Sequence, residues 1–178
     1  MSPTDPSVKL ENKVEKFVQQ QSQSNADLDI LWVIDDSGSM ADEQEALAFN
    51  FQGFISEFLD RNVNFQMAIT TTDGTHRRNG TMVGDAAQLT SIEASKNKDK
   101  FIKQFTQWVK VGTQGSGKEQ GLKCANSFID KYGDRFLRKD AFLSVIILSD
   151  EEDQSEESVD HYLQNIKARK THEGQVKV

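Results

Sequence analysis

The chain alternates between short, nearly unbroken apolar runs and longer stretches in which apolar residues recur every three or four positions. Leu28 to Ile34 is the first run, interrupted only by Asp29, rich in β-branched and aromatic residues and stopped by Asp35 and Asp36. That is the pattern of a central strand buried on both faces. Leu47, Phe51, Phe54, Ile55 and Phe58 then recur at helical spacing and predict an amphipathic helix from about Ala41 to Leu59. Phe65 to Thr72 reads as the next strand, and the turn-rich Asp73 to Asp85 as a loop or short hairpin. Phe101, Ile102, Phe105, Trp108 and Val109 mark a second helix, and Leu122, Ala125, Phe128 and Ile129 a third, with a Gly-rich loop between them. Ala141 to Leu148 is another buried strand, ending at Ser149 and Asp150. Val159, Tyr162, Leu163 and Ile166 give a last helix, and Gln175 to Val178 begins a further strand. Upstream, residues 1–7 are expected to be disordered, Val8 to Val18 hints at a short amphipathic helix, and Gln19 to Asp27 is a polar connector. The organisation is thus a lead over 1–26 and one domain over 27–178.

Strands alternating with helices imply βαβ units and a mainly parallel sheet with helices on both faces. In such sheets ligands bind beyond the carboxyl ends of the strands. Asp35 and Asp150 both fall there. Asp35, Ser37 and Ser39 alternate in a tight turn, so one face offers a carboxylate and two hydroxyls, and Gly38 lets the backbone bend. These are hard oxygen donors, suited to Mg²⁺, Ca²⁺ or Mn²⁺ and poor for zinc or copper. Asp150 is placed to complete the cage. Two aspartates at most neutralise a divalent ion, hydroxyls add no charge, and a position remains for water or an incoming ligand. A partner's Asp or Glu carboxylate is the natural occupant.

The stretch "LDILWVIDDSGSM", a core strand running into Asp-x-Ser-x-Ser, resembles the metal-ion-dependent adhesion site of von Willebrand factor type A domains, and "VIILSDEED" resembles the strand that ends in that site's later aspartate, here Asp150. The resemblance covers about Asp27 to Val178. It implies a three-layer Rossmann-like fold, Mg²⁺ (or Ca²⁺ or Mn²⁺) as the bound ion, and metal-dependent protein binding without catalysis. It also implies a threonine from the loop before the third helix. Thr113 matches by residue type, whereas counting back from Leu122 points to Ser116. Family domains usually close with another strand and helix, so either the last edge strand is very short or the fragment is truncated. The "DEEDQS" segment and the polar lead resemble bacterial extracytoplasmic members, which implies a periplasmic or cell-surface setting.

Composition narrows the alternatives. The 178 residues suit one domain with a sizeable core. A net charge of −7 disfavours nonspecific nucleic-acid or anionic-membrane binding and suits a protein that collects cations. No apolar run approaches the ~20 residues of a membrane span, and the start lacks the pattern of a signal peptide. Cys124 is the only cysteine and sits at a core-facing spacing; His76, His161 and His172 are scattered without ligand spacing. Trp32 and Trp108 read as core, and Arg77 and Arg78 as loop charges that either shape specificity or are simply solvated. The acidic run from Asp150 to Asp153, with Glu156 and Glu157, reads beyond Asp150 as a solvated start to the last helix.

Asp-x-Ser-x-Ser can also arise as an ordinary helix-capping turn; the buried strand before it and Asp150 at a second strand end favour the metal site. The main alternative is nucleotide binding. Gly112 to Lys118, "GTQGSGK", fits a phosphate-binding loop up to its last position, with Asp150 ending a Walker B-like strand. Against it, Glu119 replaces the terminal hydroxyl, and the loop follows a helical period rather than the first strand. A haloacid-dehalogenase-type phosphatase lacks its second aspartate, since Ser37 stands there. Neither Ser37 nor Ser39 lies in the Gly-x-Ser-x-Gly of a serine hydrolase.

Overall fold

The computed structural model describes residues 27–178; the expectations for the lead lie outside the described residues. Asp27–Ile34 forms β1, whose last six residues are buried. It pairs in parallel with β2 (Asn64–Thr71) on one side and β3 (Phe142–Leu148) on the other. A two-residue β4 (Val176–Lys177) adds in parallel beside Leu143 and Ser144, so the order is β2-β1-β3-β4. A strand with neighbours on both edges and helices on both faces has no exposed side, which is why β1 is apolar without alternation.

Successive β1 residues serve opposite cores. Ile30, Trp32 and Ile34 join Phe65, Met67 and Ile69 of β2 against Phe51 and Ile55 of α1 (Ala41–Asp60) and Phe101, Phe105 and Val109 of α3 (Lys98–Val109). Leu31 and Val33 join Ala68, Leu143 and Val145 against Cys124, Ala125, Phe128 and Ile129 of α4 (Gly121–Phe136) and Ile166 of α5 (Val159–Lys167). The result is a three-layer, Rossmann-like α/β domain. Trp32 is core, with its ring edge-on to Phe54 and Phe105.

Two details depart from the pattern, and a third settles an alternative it left open. A short helix α2 (Ser91–Lys96) precedes α3, with Thr90 capping one and Asn97 the other. It buries only Ala94, so it leaves no apolar period to read. The segment after β2 is a loop rather than a hairpin, touching β2 by single antiparallel bridges at Ile69–Val83 and Gln66–Thr90. The acidic run does not open the last helix. Ser158 caps α5, whereas Asp153 accepts the Leu122 N–H at 3.0 Å and Ser155 Oγ the Lys123 N–H at 3.0 Å. Asp153 thus complements the dipole of a different helix, α4, across space.

The one fully buried charge of β1 is neutralised internally. Asp29 is fully buried and accepts from Gln66 Nε2 (3.0 Å), Arg138 N (2.8 Å), Arg138 Nε (2.8 Å) and Lys170 Nζ (2.9 Å). Lys170, itself buried, also donates to the Arg138 carbonyl at 2.7 Å. Removing one partner of such a pair strands the other's charge, at a cost of about 3–5 kcal/mol. Asp29→Ala should therefore lower the stability by roughly that amount in denaturant unfolding, with a smaller loss for an exposed-pair control such as Glu57→Ala on α1. Equal losses in the two variants would refute a special role for Asp29.

Candidate metal centre

Sheet pairing carries β1 straight into the turn: Asp35 N–H donates to the Leu148 carbonyl of β3 at 2.9 Å. The chain then bends over Asp35-Asp36-Ser37-Gly38-Ser39 into α1, with Met40 buried beneath. Asp35 Oδ1 accepts the Ser37 N–H at 2.8 Å, which curls the turn around the carboxylate. Ser37 Oγ and Ser39 Oγ lie 3.4 Å apart. Asp35 and Ser37 are buried, while Gly38 and Ser39 open to solvent.

Three further segments close around this turn. Gln44 of α1 donates through Nε2 to the carbonyls of Asp35 (2.8 Å) and Gly112 (2.9 Å), and its Oε1 accepts the Gly112 N–H at 3.3 Å. Gly115 N–H donates to the Asp36 carbonyl at 2.6 Å. Glycine is required there, because a Cβ would lie 2.3 Å from the Asp36 carboxyl carbon. From β3, Ser149 Oγ donates to Asp35 Oδ2 at 2.5 Å. From the loop after β2, Arg78 pairs with Asp36 Oδ2 through Nη1 and approaches Asp73 Oδ2 at 3.7 Å.

Asp35, Ser37 and Ser39 are thus brought together. Thr113 is half-buried, directly after the glycine that Gln44 holds. Ser116 is half-buried, and its Oγ accepts the Lys118 N–H at 3.0 Å within its own turn. Asp150 is exposed, and the residue before it, Ser149, is the one hydrogen-bonded to Asp35. Among the described residues no three His, Cys, Asp or Glu side chains gather as a metal cage. A cation here would therefore rest on a carboxylate with hydroxyls, a donor set that fits a hard ion.

Two participants escaped sequence reasoning. Gln44 looks like one polar residue among many on α1. Glu119 reads as a defect in a phosphate loop, yet it is buried, bridges backbone to backbone with Asp73, and accepts Gln154 Nε2 at 3.2 Å. Burial pushes its carboxyl above the usual range, and nearby Asp35, Glu151 and Asp150 push it the same way. Burial likewise raises Asp36, partly offset by Arg78. Asp35, Asp36, Asp73 and Glu119 are four buried acids at one end of the sheet. Arg78 attends Asp36 and Asp73; among the described residues no cationic side chain pairs with Asp35 or Glu119. A buried charge without a counter-charge costs stability.

The phosphate-loop alternative lacks its geometry. Gly112 to Lys118 joins two helices, α3 and α4, rather than following a strand, and Lys118 pairs with Glu156 at 3.3 Å. Cys124 is buried, and that burial pushes its thiol up to about 12, so it is a core residue rather than a nucleophile.

No family model matches the chain, and no curated protein matches it. Solved structures do. The pilus adhesin SpaC from Lactobacillus rhamnosus GG, in an open conformation, is 16% identical over 72% of this chain and 15% of its own, with a TM-score of 0.44. Proximal thread matrix protein 1 from the mussel byssus is 15% identical over 86% of this chain and 37% of its own, with a TM-score of 0.50. The second is a likeness of fold. The chain spans well under half the length of either protein.

Glu119 supplies a test with a definite sign. Its raised carboxyl contributes stability that is complete below the unfolded-state value and lost as pH rises through the folded-state value. Glu119→Gln keeps an acceptor for Gln154 and removes the charge. In metal-free buffer at neutral pH it should raise Tm, with a flatter acid-range pH profile than the parent. An unchanged or lower Tm would show that the Glu119 charge is already compensated.

Proposed function

We propose that this chain is a divalent-cation-dependent protein-binding domain of the von Willebrand factor type A kind, holding Mg²⁺ (or Ca²⁺ or Mn²⁺) at Asp35, Ser37 and Ser39. The observation that carries the reading is a pair of buried carboxyl groups, Asp35 and Glu119, with no cationic side chain on either among the described residues and with the hydroxyls of Ser37, Ser39 and Ser149 beside Asp35. Both middle-loop candidates adjoin a glycine tied to the turn, Thr113 through Gly112 and Ser116 through Gly115; Thr113 is the better one because the Ser116 hydroxyl already accepts the Lys118 N–H. Asp150 contributes through water, and Ser149, already on Asp35, is the nearer group on that loop. Asp35 is the one carboxylate proposed in direct contact with the ion, so the ion keeps positive charge and stays electrophilic toward a carboxylate of a protein partner. The role is recognition, with no catalytic step. An extracytoplasmic setting, at the periplasm or cell surface, fits such a role, and among the described residues no helix is long and apolar enough to cross a membrane.

An ion that binds only the folded domain must stabilise it, by about 2.7 kcal/mol at a hundredfold excess over Kd. Millimolar Mg²⁺ or Mn²⁺ should therefore raise Tm in the parent, and the shift should vanish in Asp35→Ala and shrink in Ser39→Ala. Calorimetric titration should show metal binding weakening on acidification, because protons and the cation compete for the same carboxylates. A domain whose melting ignores both metals, or an Asp35→Ala variant with parental metal affinity, sinks the assignment.

A further inference from the structure

A cavity of about 170 Å³ adjoins the metal turn, lined by Thr71, Arg78, Thr81, Met82, Val83 and Val111. Three links place it beside the turn. Thr71 is the cross-strand partner of Ile34, the residue before Asp35. Arg78 is bound to Asp36. Val111 precedes Gly112, whose backbone Gln44 ties to the Asp35 turn.

The chemistry of the walls is mixed in an informative way. Met82, Val83 and Val111 are apolar, and Met82 adapts its shape to a guest. Thr71 carries a buried Oγ1 with no hydrogen-bond partner among the described residues. The Arg78 side chain is 46% exposed, so its guanidinium keeps donors free after serving Asp36. Ligand pockets for drug-sized molecules run to about 300–1,000 Å³. This cavity is smaller and suits a single side chain.

We infer that the cavity is a side-chain subsite for the partner: it takes one branched apolar residue (Val, Leu or Ile) of an acidic peptide segment whose neighbouring Asp or Glu reaches the metal, while Arg78 donates to an oxygen of that segment. The inference rests on the metal-dependent recognition proposed above and names the partner's local chemistry. The apolar walls select the branched side chain, and the open position on the ion selects the carboxylate beside it.

The test is a random peptide library displayed on phage, panned on the domain in Mg²⁺ and eluted with EDTA. Enriched peptides should carry Asp or Glu with Val, Leu or Ile within two positions. Val111→Trp, which fills the cavity, should keep the Mg²⁺ melting shift and bind the best peptide at least roughly tenfold more weakly. Met82→Ala, which enlarges the cavity, should move the preference toward Met or Phe. If the parent shows no Mg²⁺ melting shift, the metal reading fails and the subsite falls with it. If the shift is present but no peptide is enriched, or enriched peptides lack the apolar neighbour, or both variants select and bind as the parent does, the subsite alone is overturned.

Discussion

The carboxylate of Asp29, in the middle strand of the sheet, is the constraint around which the amino end of the domain is arranged. A charge in that position is tolerable only with complete hydrogen bonding and a counter-charge. Arg138, in the turn before β3, and Lys170, in the turn after α5, supply it, and Gln66 of β2 adds an amide. Four chain segments distant in sequence are thereby committed to one atom pair. The Lys170 bond to the Arg138 carbonyl joins two of them directly, which sets where the last segment returns to start β4 beside β3.

The two ends of β1 handle charge in opposite ways. At the amino end, side chains of the protein itself complete the neutralisation. At the carboxyl end, Asp36 receives Arg78, but among the described residues Asp35 is given only a serine hydroxyl and a backbone N–H, and Glu119 only an amide. Hydrogen bonds stabilise a carboxylate without balancing its charge. The same strand therefore combines a closed end, charge-balanced by the protein's own side chains, with an open end where Asp35 and Glu119 have no cationic side chain among the described residues.

Most of the fold was legible because it is carried by apolar period. β1, α1 and α3 follow from runs such as Leu28 to Ile34 and from repeats such as Phe51, Ile55 and Phe58, and their bounds agree closely with the pattern. α2 was not legible, since one buried alanine makes no stripe. The acidic run misled because local charge reports that some helix N-terminus is near, but not which one. At the site, Asp35, Ser37 and Ser39 were readable as three alternating donors within five residues. Gln44 and Glu119 were not, because their roles come from burial and from loops that meet only in the folded chain. Asp29 was visible as the sole break in a buried strand, though nothing in sequence named Arg138 and Lys170 as its partners.

The Gln44 amide spends its oxygen and its nitrogen on the backbones of two different loops. The turn that carries Asp35 and the loop that carries Thr113 are therefore geared to one residue in the second turn of α1. One amide thus sets the distance between the two backbones, so a side chain of the outer helix layer, rather than the loops themselves, gauges the width of the rim.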